Sequence, residues 1–515
     1  LAHRGGRRLT TGSEDYNTIA AWIAAGAPAP RDDDPHLASL EISPSSSLFG
    51  LGDTVRLAVT ARYSDGRERD VTAWAKFTAN DATVVDVDEG GEAKIIGHGE
   101  GSVTAWFSSQ IVTARLTVPF PNGVPDSAFE AEAEVDFIDR LVLEQLARLK
   151  LKPSPLADDA TFVRRAYHDT IGKLPSPPEA RAFIDDTAPD KHAKLADALL
   201  ARPEFVDYWT YKWSDLFLVS GSKLRPEAVK AYYRWLRGAV EENWPWDRIA
   251  RELVTAKGSS VENGASNFFA VHQEPEAMAE NVSQAFLSLS INCAKCHNHP
   301  LEKWTNDQYY AFANLFARVR AKGWGGDARN GDGKRTLYVE PRGDLIQPRT
   351  GKPQPPAPLD APAIDAGDVG DRREVLADWL TAPENPYFSR AIANRVWANF
   401  MGIGVVEPVD DMRASNPASN EPLLAALAGA LVENGYDLKP LMRSILISRT
   451  YRRSSVALPE NMADTRHYSR YYPRRLMAEV RHDAITDVTG RPDRFTEVAL
   501  NDVSSQKTEF YKEGT

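Results

Sequence analysis

The chain has 515 residues, with 61 Lys and Arg against 72 Asp and Glu and a formal net charge of −11. That acidic balance argues against nucleic acid or anionic lipid as the main partner, because basic residues adjoin only in pairs such as Arg164-Arg165, Arg452-Arg453 and Arg474-Arg475. No run of about 18 apolar residues occurs, so no transmembrane segment is expected, and the length calls for three or four domains.

Residues 1–30 read as the end of a preceding body. Positions 13–27 set Ile19, Trp22 and Ile23 on one helical face, with Gly26 and Pro28 as a stop. One helix cannot bury such a face, so its body is expected upstream of Leu1. Residues 37–119 change to short alternating runs such as 55–60 and 102–107, separated by the turn signals Ser64-Asp65-Gly66 and Glu89-Gly90-Gly91. That spacing predicts an antiparallel β-sandwich.

Near residue 125 the pattern turns from period 2 to helical, and 135–320 is taken as a helical domain. Its amphipathic stretches are 137–146, 159–167, 190–200, 226–254 and 275–290. Residues 321–371 are rich in Pro and Gly, including Pro348, Pro353, Pro355, Pro356 and Pro358, and read as a linker or long surface loop. Helical patterns resume at 373–380, 389–400, 422–433 and 438–447, giving a second helical domain over 372–515. Positions 509–515 carry no stop signal, so this domain is expected to continue. The fold class predicted is multidomain, a β-sandwich followed by a large, mainly α-helical region.

Cys293-Ala294-Lys295-Cys296-His297 is the chemically specific stretch, and it holds both cysteines of the chain. The C-x-x-C-H spacing is that of covalent haem attachment: Cys293 and Cys296 form thioethers to the haem vinyl groups, and His297 lies under the iron as proximal ligand. Zinc held by Cys293, Cys296, His297 and His299 is disfavoured, because the four ligands leave no loop between ligand pairs. A redox dithiol would want a strand before the motif, whereas an apolar helical pattern runs into it. Two unrelated buried cysteines would leave their spacing unexplained.

Candidates for the iron's other face are less specific. Met278 falls on a predicted helix, 275–289, in a core stripe with Val282, Ala285, Phe286 and Leu289. A straight helix would put it about 22 Å from Cys293, so it is expected to be core. His272 would need a sharp return before Pro275, and His299 is expected to be a surface or supporting histidine. His168, His467, His482 and Met477 cannot be ranked from sequence, and an open sixth position is equally allowed. Trp304, Tyr309 and Tyr310 follow the motif at helical spacing and read as core aromatics in preference to haem neighbours. Asp410, Asp411 and Asn416 make a weak calcium pattern, for which capping or arginine pairing is the simpler account.

Longer strings carry a resemblance. YSDGRERDVTAWAKFTANDATVVDVDEGGEAKIIGHGEGSVTAWF resembles the group-2 bacterial immunoglobulin-like domain, which implies an immunoglobulin-like β-sandwich acting as spacer or adhesive surface. FVRRAYHDTIGKLPSPPEARAFI, ARPEFVDYWTYKWSDLF and AENVSQAFLSLSINCAKCHNHPLEKWTNDQYYAFANLFARV resemble the first of two domains of unknown function paired in planctomycete secreted, cytochrome-associated proteins. NPYFSRAIANRVWANFMGIGVVEPVDDMRASNPASNEPLLAALAGALVENGYDLKPLMRSILISRTYRRSS and PRRLMAEVRHDAITDVTG are similar to the second. The pattern departs at Asn420-Glu421-Pro422, where Ser-His-Pro is common, and at His482, where Arg is usual. GGRRLTTGSEDYNTIAAWIAAGAP resembles the tail of a planctomycete cytochrome-c-like domain, which implies a further haem segment upstream.

The function expected is an exported c-type cytochrome with one haem c and an electron-transfer or haem-redox role. Its partner would be a redox protein or a surface assembly, with self-association left open, in the periplasm or at the cell surface. The alternative is a cell-surface structural or adhesion protein in which haem is mainly structural. Enzyme activity needs a proton donor beside an open iron, and no residue is assignable to that role. The 37–119 module is expected to be separable from haem attachment.

Overall fold

The computed structural model describes residues 9–29, 31, 33–130, 136–221, 224–272, 274–300, 302–323, 334–365 and 370–491. The expected C-terminal continuation at 509–515 lies outside them, as do residues 1–8 of the tail resemblance. Helix Glu14–Ala24 is capped by Ser13, whose hydroxyl accepts from Tyr16 N at 3.2 Å. Its apolar face stays open, with Ile19 43%, Trp22 49% and Ile23 60% exposed. The acidic first turn reaches the β-rich module instead, through Glu14 to Arg69 at 2.6 Å and Asp15 to the Trp74 indole at 2.6 Å.

Ten strands lie between Leu37 and Val118: β1 Leu37–Ser43, β2 Ser46–Leu48, β3 Thr54–Arg56, β4 Ala58–Tyr63, β5 Glu68–Asp70, β6 Lys76–Ala79, β7 Val85–Val87, β8 Glu92–Ile95, β9 Gly99–Phe107 and β10 Gln110–Val118. They form three sheets, ordered β1-β4-β5, β2-β10-β9-β6 and β3-β8-β7. All pairings are antiparallel except β10 with β2. The run 55–60, read as one strand, divides at Leu57 and enters two different sheets. Leu57 is fully buried and its N–H donates to Gly91 O at 2.8 Å, which takes it out of either ladder. Gly91 adopts φ +79°, and a Cβ there would come within 2.8 Å of the Phe77 ring and 2.9 Å of Leu57 O, so only glycine makes this turn. Inward residues such as Val59, Val85, Ala93, Val103 and Leu116 give the module a core of its own.

The helical patterns match helices Phe137–Leu149, Asp159–Ile171, Lys191–Leu200, Pro226–Glu241, Trp246–Thr255, Arg372–Thr381, Phe388–Met401, Glu421–Glu433 and Leu438–Ile447. The long stretch 226–254 breaks at Trp244-Pro245, because proline cannot donate within a helix and restricts the residue before it. The helix expected over 275–289 is α-helical only at Pro275–Val282, widens to a π-turn at Ser283–Leu287, and stops at Ser288 with φ +53°. Helices Pro177–Asp185, Pro203–Leu216 and Ala478–Thr489 were not singled out by periodicity.

One cluster of buried apolar residues runs through both helical stretches, from Ile138, Leu146 and Trp209 to Trp397, Leu427 and Tyr451. Asp139, fully buried in the first stretch, accepts from Arg449 N, Thr450 N and Thr450 Oγ1 at 2.8 to 2.9 Å and so caps a turn of the second. Asn420, at the departure from the family pattern, caps helix Glu421–Glu433 by accepting from Leu423 N at 3.0 Å and donates to Leu141 O at 2.9 Å. The Pro/Gly-rich stretch is also packed. Leu337, Gln347 and Leu359 are at most 2% exposed, and strand Thr336–Val339 pairs with Val319–Lys322 and Gly258–Ser259.

The β-rich module is fastened to the helical body mainly by polar contacts. Arg115 on β10 pairs with buried Glu100 at 2.7 Å and donates to Ala418 O at 2.8 Å. Glu100 also accepts from Gln145 Nε2 at 2.8 Å, and Asn80 donates to Ser415 O at 2.5 Å. The 414–418 loop therefore lies against the β6-β9-β10 face.

Candidate functional site

The motif sits on a short 3-10 turn, Asn292–Lys295, with Cys296 as its C-cap. In such a turn side chains three apart eclipse. Ile291 and Ala294, at 1% and 0% exposed, point into the core, whereas Cys293 and Cys296 are exposed free thiols sharing another side. His297 follows, also exposed. Its Nδ1 lies 2.8 Å from Asn298 O, and a carbonyl oxygen only accepts, so Nδ1 carries the proton and the Nε2 lone pair is left outward. This is the tautomer in which a histidine ligates a metal while its other nitrogen is held by a backbone carbonyl.

Buried Asn306 fixes the turn. It begins helix Asn306–Ala313, whose Thr305 cap forms a reciprocal capping box with Gln308. Its Nδ2 donates to Ala294 O at 2.8 Å and Lys295 O at 2.9 Å, while its N–H donates to Asn298 Oδ1 at 3.0 Å. Its own Oδ1 accepts from Gln347 Nε2 at 2.5 Å, which ties the Pro/Gly-rich stretch to the motif.

Downstream, His299 N donates to Trp304 O at 2.8 Å, and the His299 side chain is 5% exposed. Burial pushes its imidazole pKa below the ordinary value, with the Arg413 charge acting the same way. Glu302, 2% exposed, accepts from Ala414 N at 2.5 Å. Burial raises its carboxyl pKa, and that hydrogen bond opposes the rise. The 414–418 loop thus touches the motif region on one side and the β-rich module on the other.

A cavity of about 570 Å³ opens beside the motif, lined by Cys296, His297, Asn298, Pro300, Asn306 and Arg349, and across from them by Lys76, Trp106 and Ser108 of the module. The volume is within the range of cofactor sites. A neighbouring cavity of about 340 Å³ shares Lys76, Trp106 and Pro300. Nothing in the alternating pattern of these module residues marks the sheet face that meets the helical body.

The other candidates separate clearly. Met278 is 1% exposed and belongs to the helical core. Trp304, Tyr309 and Tyr310 are core residues too, and the Tyr309 hydroxyl donates to Glu280 at 2.7 Å. Among the described residues, none of Met278, His168, His272, His467, His482 and Met477 lines the cavity beside His297. Asp411 pairs with Arg413 through two contacts of 2.5 and 2.6 Å, and Asn416 donates to Asp411 O at 2.9 Å, so arginine pairing accounts for Asp411, while Asp410 accepts from Gln284 Nε2 at 3.1 Å. Among the described residues no three His, Cys, Asp or Glu side chains converge as a metal-ion group, and His299 is buried whereas both thiols are exposed.

The residues present fit a covalently attached haem: two exposed thiols on one side of a fixed turn, a histidine with its Nε2 free, and an adjoining cavity. Bound there, haem would supply one-electron redox chemistry.

Comparison with known families divides the helical body in two. Residues 137–321 match the family described as PSCyt2, a protein of unknown function (DUF1549), and residues 372–512 match PSD1, a protein of unknown function (DUF1553). The chain carries both domains. It is also similar to an S-layer-related protein of Niallia circulans, 34% identical over 86 residues, or 17% of this chain and 5% of that protein. A similar stretch occurs in ice-binding protein 1 of Shewanella frigidimarina (strain NCIMB 400), 32% identical over 85 residues, or 16% of this chain and 10% of that one. The chain thus spans a small fraction of these curated relatives. Among the described residues no helix is long and apolar enough to cross a membrane.

Proposed function

We propose that the chain is an exported haem-redox protein holding one haem c through Cys293 and Cys296, with His297 as proximal ligand. Attachment needs no oxidant: each thiol adds across a vinyl double bond, sulfur to one carbon and hydrogen to the other. The observation that carries the reading is the orientation of His297, whose Nδ1 is satisfied by Asn298 O and whose Nε2 remains available beside two exposed thiols. The description of the first domain as PSCyt2 agrees with a cytochrome association. Residues 37–119 act in this reading as an immunoglobulin-like module, supported by their separate strand-built core. Likeness to an S-layer-related protein and an ice-binding protein supports a cell-surface or extracellular setting.

The test is intact-protein mass spectrometry under denaturing conditions, on chain exported from a host that attaches haem to C-x-x-C-H motifs. One haem mass retained on the wild type and lost in the Cys293→Ser, Cys296→Ser double variant supports the proposal. Absence of haem from the wild type, or zinc in its place, overturns it. A second reading, a surface structural protein in which haem only staples the fold, draws on the S-layer likeness. In that case the bound haem binds no carbon monoxide and exchanges no electrons with small mediators.

A further inference from the structure

Resting on that haem reading, we infer that the β-rich module is part of the cofactor site: Trp106 and Lys76, with Arg349 of the helical body, bind the outer edge of the haem carried by Cys293 and Cys296. Haem is a flat apolar ring with two propionate carboxylates on one edge. A pocket for it needs apolar surface for the ring, and cations or N–H donors for that edge.

The far wall of the 570 Å³ cavity has those groups. Lys76 on β6 and Trp106 on β9 are direct cross-strand partners, so the pleat presents both on one face of the sheet. The Trp106 indole Nε1 is buried and has no hydrogen-bond acceptor. A buried donor without an acceptor is unfavourable, and because the Trp106 side chain lines the cavity, a small turn of the indole would bring that donor to a ligand oxygen. Lys76 makes no ion pair among the described residues, and Arg349 reaches the same cavity while touching Asp307 at 2.8 Å. The wall is held in register by Arg115 to Ala418 O and Asn80 to Ser415 O, so it does not depend on a loose interdomain approach.

Trp106→Phe, Lys76→Gln and Arg349→Gln variants of the 515-residue chain are compared with wild type and with Lys94→Gln, which lies on β8 in a different sheet. Three measurements are made: haem mass under denaturing conditions, circular dichroism in the Soret band, and the reduction midpoint by spectroelectrochemistry. All chains are expected to keep the haem mass. Trp106→Phe should change the Soret dichroism. Lys76→Gln and Arg349→Gln should each lower the midpoint, because a nearby cation favours the more negative reduced state. The shift expected is about threefold in the redox equilibrium, shrinking as salt is raised. Lys94→Gln should match wild type. Haem present with dichroism and midpoint unchanged in all three variants overturns the inference and leaves the haem reading standing. Wild type without haem overturns both.

Discussion

Asn306 holds the backbone of the motif through Ala294, donating its side-chain amide to the Ala294 carbonyl at 2.8 Å from the first turn of the following helix. With the second bond to Lys295 O, the contact sets the shape of the turn that displays both cysteines.

Asn306→Ala should therefore destabilise the chain by about 1–3 kcal/mol, since the amide's acceptors and the Gln347 amide lose a buried partner together. Asn306→Asp should be worse, because it sets carboxylate oxygen against carbonyl oxygen. Urea unfolding gives the order, and hydrogen exchange should accelerate first at residues 294–299. An Asp variant as stable as wild type would contradict this role.

Met278 is core, so Met278→Leu should cost under about 1.5 kcal/mol, the usual penalty for a volume-conserving apolar exchange. The visible spectrum of the haem-loaded chain should not change. A move from low-spin to high-spin bands would place Met278 on the iron and refute the assignment.

His192 gives the helical body an acid-sensitive point. Its ring packs edge-on against Phe162 at 4.7 Å and Phe183 at 5.5 Å between centroids. Burial, helped by the Arg452 charge, lowers its pKa from 6.5 to about 4, with Asp159 opposing. The unfolded chain therefore binds a proton more readily than the folded one. The contribution to stability is complete above about pH 6.5 and is lost as pH falls toward 4. His192→Phe should flatten that part of the stability profile in urea titrations at stepped pH, and an unchanged slope would count against it.

Asp139 joins the two helical stretches, and Asp139→Ala should cost about 3 kcal/mol or more by stripping three donors of their acceptor. Because both stretches share one core, tryptophan fluorescence and far-ultraviolet dichroism should report coincident unfolding of the helical body. Separate transitions for 137–321 and 372–480 would show that the shared core does not couple them.

Much of this organisation was legible in the chain itself. Periodicity located the change from strand to helix and most long helices, because each buries a face of its own residues. The exposed side of the Cys293 turn follows from three-residue spacing. Partnerships set by tertiary packing were not legible: nothing local to Asn306 announces Ala294, and Trp106 looks like any outward residue of a strand. Composition also misdirected at the Pro/Gly-rich stretch. Gln347 is fully buried there because it bonds to Asn306 and Asp307, a tertiary reason with no periodic signature.

The shared core also bears on synthesis. Residues 137–321 leave the ribosome first, and the apolar surface that helices such as Phe388–Met401 and Leu438–Ile447 cover stays bare until those segments follow. Roughly 130 residues separate the two events, a delay of about 7–25 s at ordinary elongation rates. For that interval the nascent chain is a half-built interior facing water, and a holding chaperone is its natural companion. A chain truncated in the Pro/Gly-rich stretch would remain in that condition permanently and should be recovered as aggregate.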